Sequence, residues 1–79
     1  MNINEAVKKR IQEICDTQDS TICDISLKGG MLPSCIYDLT HNRTKHPKIN
    51  TIQKFCDGAG ITLGQFFTSA LFDNLDIED

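Results

Sequence analysis

The sequence predicts an all-α fold: one compact bundle of five short helices. Three observations carry that reading. Apolar residues recur at three- and four-residue spacings, and no stretch reads as a strand. Each apolar stripe lasts about two turns, too short for the heptads of a coiled coil. Residues suited to cap helices or to turn the chain separate the stripes.

The first predicted helix runs from Glu5 to Asp16. Asn2 and Glu5 have capping-box spacing, and Val7, Ile11, Ile14 and Cys15 form its inner stripe. Lys8, Lys9 and Glu13 fall on the wet side, and Gln18, Asp19 and Ser20 break the helix. The second starts after Ser20 or Thr21, turns Ile22, Ile25 and Ser26 inward, and ends at Lys28. Gly29 and Gly30 then supply a turn that needs positive φ. Pro33 suits the first turn of a third helix, with Ile36 and Leu39 as its core residues. The fourth follows Pro47, with Asn50 and Gln53 at capping-box spacing. Its stripe is Ile52, Phe55, Cys56 and Ala59, and Gly58 and Gly60 close it. Thr62 and Gln65 repeat the capping box and open a fifth helix carrying Leu63, Phe66, Phe67, Ala70 and Leu71. Residues 73–79 form an acidic tail that is expected to fray.

A chain of 79 residues is expected to form a single domain over 1–79, with its core in about 5–72. Apolar residues at 39% and charged residues at 24% suit a globular domain rather than a disordered one. No apolar run approaches the ~18 residues that would span a bilayer, and MNINEAVKKR lacks a secretory core. The expected location is cytoplasmic. Net charge is −3, but its distribution matters more. Residues 20–56 carry Lys28, Arg43, Lys45, Lys48 and Lys54 against Asp24 and Asp38, while residues 57–79 carry Asp57, Asp73, Asp76, Glu78 and Asp79 and no base.

Cys15, Cys23, Cys35 and Cys56 form no CxxC pair, and His41 and His46 do not complete a zinc spacing. All four are expected to be small buried core residues, with no metal and no cofactor bound. Motifs of hydrolases, phosphate loops and metalloproteases are missing, so an enzyme is not expected.

The order of residues 22–48 resembles the helix-turn-helix of the phage Cro and repressor family, the Xre type. The resemblance rests on Ile25 and Ser26 in the first helix of the motif, Gly30 at the turn, Met31 just after it, and Ile36 and Leu39 in the second helix. Downstream, NRTKHPKINTIQKFCDGAGITLGQFF follows the family order of polar loop, proline, helix, small-residue turn and aromatic-rich helix. The resemblance covers about residues 5–72. It implies a lambda-repressor-like bundle whose third helix enters the DNA major groove. On that reading Ser34, Tyr37, Asp38 and His41 face the bases. Thr21, Asn42, Arg43, Thr44, Lys45 and Lys48 would hold phosphates. The implied partners are double-stranded DNA and a second copy, paired through the C-terminal helix. Gly29 stands where relatives carry alanine or a larger apolar residue, and is expected to loosen the second helix. Asp38 brings a negative charge to the DNA-facing side, where it could accept from cytosine N4 or repel phosphate. The competing class is a protein-interaction module on the same fold, antitoxin-like or scaffold-like, with weak DNA binding. Four large apolar residues, Phe66, Phe67, Leu71 and Phe72, lie within seven positions, so at least one is expected to be exposed.

Overall fold

The structure is a computed structural model that describes residues 1–32 and 48–77. All regular elements among them are helical: α1 (Ile3–Thr17), α2 (Ile22–Lys28), α3 (Ile49–Ala59), α4 (Leu63–Phe67) and the 3-10 helix η1 (Ala70–Phe72). The third predicted helix, with Pro33, Cys35, Ile36 and Leu39, lies outside the described residues. The predicted fourth helix is therefore α3.

The apolar stripes form the core. Val7, Ile11, Ile14 and Cys15 of α1, Ile25 of α2, Met31 of the turn, Ile52, Phe55, Cys56 and Ala59 of α3, and Phe66 of α4 make one buried cluster. Helix starts follow the predicted caps at three places. Asn2 Oδ1 accepts from the Glu5 N–H at 2.9 Å, and Thr21 Oγ1 from the Asp24 N–H at 3.1 Å. Thr62 and Gln65 close a full capping box, at 3.0 and 2.9 Å. The box expected at Asn50 and Gln53 is absent. Lys48 is the N-cap of α3 and makes no side-chain cap, so Asn50 already lies inside the helix.

α1, α2 and α3 end in one geometry. In each, a left-handed residue ends the helix: Asp19 (φ 50) and Gly30 (φ 81) just past the caps of α1 and α2, and Gly60 (φ 73) as the cap of α3. Paired bonds close each end: Ser20 N–H to Cys15 O and Asp19 N–H to Asp16 O, Met31 N–H to Ser26 O and Gly30 N–H to Leu27 O, Ile61 N–H to Cys56 O and Gly60 N–H to Asp57 O. This is the Schellman pattern, which satisfies carbonyls that a helix end leaves unpaired.

Gly29 and Gly58 have another role. A Cβ on Gly29 would stand 1.8 Å from Lys54 O, and one on Gly58 would stand 1.9 Å from Ile25 O. The backbones of α2 and α3 therefore touch at two points, four residues apart on each helix and in opposite order, so the helices run antiparallel. Gly29 is the C-cap of α2, and its N–H bonds Ile25 O at 3.1 Å. Gly58 does not close α3. It lies within the helix, at the contact with α2.

Two side chains of the α1 region tie down the carbonyl ends of other helices. Gln18 Nε2 donates to Ala59 O at 2.6 Å. Arg10 donates through Nε to Phe66 O at 2.7 Å and through Nη2 to Gln65 O at 2.8 Å, while its Nη1 pairs with Glu13. Those are the acceptors that the N–H groups of Ala70 and Ser69 would need to extend α4. The expected fifth helix stops at Phe67, where the Thr68 N–H closes a tighter turn on Gln65 O. Ser69 is extended, and residues 70–72 form η1 with Ser69 Oγ accepting from the Leu71 N–H. The break lets Phe72 fold back, with ring centroids 5.0 Å from Phe67 and 6.1 Å from Phe66. Phe66 is buried and Phe67, Leu71 and Phe72 are half-buried, so none of the four is exposed as expected; Ala70 is. The tail is tied down as well: Asp76 N–H donates to Met1 O at 3.0 Å, and only Glu78 and Asp79 of it lie outside the described residues.

Two alanine substitutions separate contact from conformation. At Gly60 nothing lies within 4 Å of a Cβ, so Gly60→Ala should cost only the left-handed penalty, about 1–2 kcal/mol. Helix propensity alone would make Gly58→Ala stabilising by about 1 kcal/mol. The clash with Ile25 O reverses that sign, and a loss of about 1–3 kcal/mol is expected. Urea midpoints check both; a Gly58→Ala protein more stable than the parent would show that the helices are not in backbone contact. Arg10→Met should cost roughly 1–3 kcal/mol by leaving the part-buried Phe66 O without the Arg10 donor, while Gln65 O keeps the Thr68 N–H; the same curves read it.

Candidate nucleic-acid interface

The α2–α3 crossing sorts charge. Gly58 against Ile25 brings the neighbouring Asp24 and Asp57 to one end of the pair, and Gly29 against Lys54 brings Lys28 and Lys54 to the other. The chain leaves the crossing at the basic end, past Gly30 and Met31, and returns to it through Lys48 at the start of α3. Lys28, Lys48 and Lys54 reach solvent, and none pairs with a carboxylate of another described residue. Three cations thus flank the two ends of segment 33–47, which itself carries Arg43, Lys45, His41 and His46.

Of the residues expected to meet DNA, two are described. Thr21 is the N-cap of α2, exposed, with extended backbone (φ −111, ψ 157). Its oxygen is engaged by the Asp24 N–H, but the hydroxyl hydrogen stays free to donate to an anion. Asp24, in the first turn of α2, places a carboxylate beside it. Lys48 is exposed, and its carbonyl accepts from Thr51 and Ile52 N–H at 3.0 and 3.2 Å, which fixes the backbone that carries it. Ser34, Tyr37, Asp38, His41, Asn42, Arg43, Thr44 and Lys45 lie outside the described residues, as does His46. Ser26, expected to face inward at the helix contact, is fully buried. The sequence does not show Lys28 and Lys54 as a pair. Both count toward its basic stretch, but 26 residues separate them, and only the crossing brings their backbones together.

The thiols divide. Cys15 and Cys56 are buried, as expected. Burial raises the Cys15 thiol above its ordinary value, with Asp16 adding to the effect. Burial, then Asp57, pushes the Cys56 thiol up to about 11, against a smaller opposing pull from Arg10. Cys23 corrects the expectation. It is free, on the first turn of α2 and directed away from the core, because the inner face there belongs to Ile22, Ile25 and Ser26. Among the described residues no group of histidines, cysteines and carboxylates is arranged to hold a metal ion, and no helix is long and apolar enough to cross a membrane.

No protein-family model matches the chain, and no curated protein sequence matches it. Among solved structures, the crystal structure of the prophage Lp1 protein 11 is similar at 28% sequence identity and a TM-score of 0.81, covering 95% of this chain and 100% of that one. The two share a fold along nearly their whole lengths.

The thiols supply a check on the packing. Alkylation of the folded protein, mapped by peptide mass, should label Cys23 readily and leave Cys15 and Cys56 unlabelled until denaturant is added. Alkaline pH gives a second. From about pH 9 the unfolded Cys56 thiol ionises, while the folded one keeps its proton up to about pH 11. The folded state then binds more protons, so stability falls as pH rises through that window and is unaffected below it. Cys56→Ala should flatten this fall between about pH 9 and 11; an unchanged slope would place the thiol in water.

Proposed function

We propose that this chain is a sequence-specific DNA-binding transcriptional regulator, a repressor that acts by occupying an operator. The observation that carries the reading is the basic end of the α2–α3 crossing: Lys28, Lys48 and Lys54 flank a segment that adds Arg43 and Lys45. Cations gathered at one end of a small acidic domain suit a phosphate backbone. The turn after α2 supports it too. Gly30 at φ 81 and the paired bonds of Gly30 and Met31 swing the chain out of α2, as the first half of a helix-turn-helix requires. On this reading segment 33–47 supplies the reading helix, with Ser34, Tyr37, Asp38 and His41 toward the bases. Thr21, Asn42, Arg43, Thr44, Lys45 and Lys48 hold phosphates. A homodimer would set two such helices about 34 Å apart on a near-palindromic site. The fold shared with a prophage protein fits a regulator of this kind.

A second reading has its own observation. Leu27, Leu32 and Ile49 are 52%, 67% and 63% exposed, and each lies within a few residues of Lys28 or Lys48 along the chain. Exposed aliphatic residues there suit a protein partner better than DNA, as in an interaction module on this fold.

Replacing Arg43, Lys45 and Lys48 together by alanine should weaken binding to every DNA sequence alike. The salt slope should flatten by about 0.9 for each phosphate no longer neutralised. An unchanged affinity and slope, measured by titration at several salt concentrations, would remove this segment as the phosphate clamp. Asp38→Ala divides the two readings after binding selection from random DNA. Lost preference at one base pair, about 1–3 kcal/mol, marks a base reader. Higher affinity for all sequences marks a repulsive charge. No effect on DNA, with loss of a protein complex, supports the interaction module.

A further inference from the structure

We infer that residues 68–77 form a strap, latched across α1 by Asp76, that opens as one unit while the α1–α4 core stays folded. The near end of the strap is fixed. Arg10 holds the carbonyls of Gln65 and Phe66 at 2.8 and 2.7 Å, and Phe66 is fully buried. Beyond that clamp the packing thins. No residue of η1 is buried, although η1 lies on α1. The backbone bonds within the strap are local: Ser69 N–H to Phe67 O, Phe72 N–H to Ser69 O, Asp73 N–H to Ala70 O.

The far end is held where Asp76 meets the start of the chain. Its N–H donates to Met1 O at 3.0 Å, forming an isolated bridge with Asn2, and its carboxylate pairs with the Met1 amino group at 3.0 Å. The pair is exposed, with the Asp76 side chain 80% exposed, so water and salt screen it strongly. The strap is thus a closed loop with a strong, half-buried anchor at one end and a weak, wet one at the other. Between the anchors its apolar weight sits in Phe72, half-buried against Phe66 and Phe67. Because the η1 turn carries that ring, releasing the latch frees ring and turn together. Opening would bare the half-buried faces of Phe67 and Phe72.

Hydrogen exchange of single amides tests this on the intact chain with its own N-terminus. The reporters are the amides of Phe72, Asp73 and Asp76 in the strap, and those of Phe55 and Cys56 in α3. The strap amides should exchange faster than the α3 amides and should share one opening equilibrium. Asp76→Ala, which removes the carboxylate and keeps the backbone N–H, should speed all three strap amides by a common factor of about two to five. The α3 amides should be unmoved. Acetylating the Met1 amine, or raising salt to about 1 M, should have the same effect. Three results would overturn the inference. If only the amide at 76 speeds up, the end merely frays. If Phe55 and Cys56 speed up equally, the strap belongs to the global folding unit. If acetylation changes nothing while Asp76→Ala does, the amine–carboxylate pair is not the latch.

Discussion

The backbone contact between α2 and α3 is the constraint on which the rest depends. Two helices normally keep their axes about 8–10 Å apart because side chains separate them. Here Gly29 and Gly58 remove the side chains at two points, and each peptide carbonyl sits where a Cβ would be. Ile25 is then driven fully into the core beside Ile52, Phe55 and Cys56. The same contact fixes the antiparallel order of α2 and α3. That order decides which charges meet, acids at one end and lysines at the other.

A domain this small has little core to spare, so its polar groups must be satisfied economically. Three of its helices do this by turning left-handed just past their ends, two with glycine and one with Asp19. Aspartate tolerates that region better than most residues with a side chain. The rest falls to α1 and the turn behind it. Gln18 reaches the end of α3, and Arg10 reaches the end of α4. Arg10 covers the end of α4 by donating to Gln65 O and Phe66 O, and Gln65 O also accepts from the Thr68 N–H. One side chain more than fifty residues away thus meets the carbonyl end of α4, beside which Phe72 folds back on Phe66 and Phe67.

The charge pattern gives a physical sense to an acidic protein proposed to bind DNA. Net charge governs solubility and long-range approach, whereas contact with phosphate depends on local cations within about a Debye length. Lys28, Lys48 and Lys54 sit at the basic end of the crossing, and the acids of the tail follow α4, far along the chain from them. Exposed Leu27, Leu32 and Ile49 lie close along the chain to Lys28 and Lys48, so the same stretches carry features suited both to a polyanion and to an apolar partner.

Periodicity and cap chemistry in the sequence determined which residues are inside and where most helices begin. The stripes of α1 and α3 are buried residue for residue, and Asn2, Thr21 and Thr62 cap as their spacing requires. These features are local, set by contacts within four residues, and a sequence displays such contacts directly. Only the tertiary structure decided the rest. Gly29 and Gly58 read as a weak helix end and a helix stop, because sequence spacing cannot show that another backbone lies against them. Cys23 reads as core, because seven residues of helix do not reveal which face a distant partner will cover. The fifth helix reads as continuous through Leu71, because nothing near it announces that Arg10 will cap its end or that Phe72 will fold back on Phe66 and Phe67. The tail reads as frayed, because the partner of Asp76 is Met1, 75 residues away. Each is a long-range contact that forms only when the chain closes on itself, which is why local pattern could name the residues but not their roles.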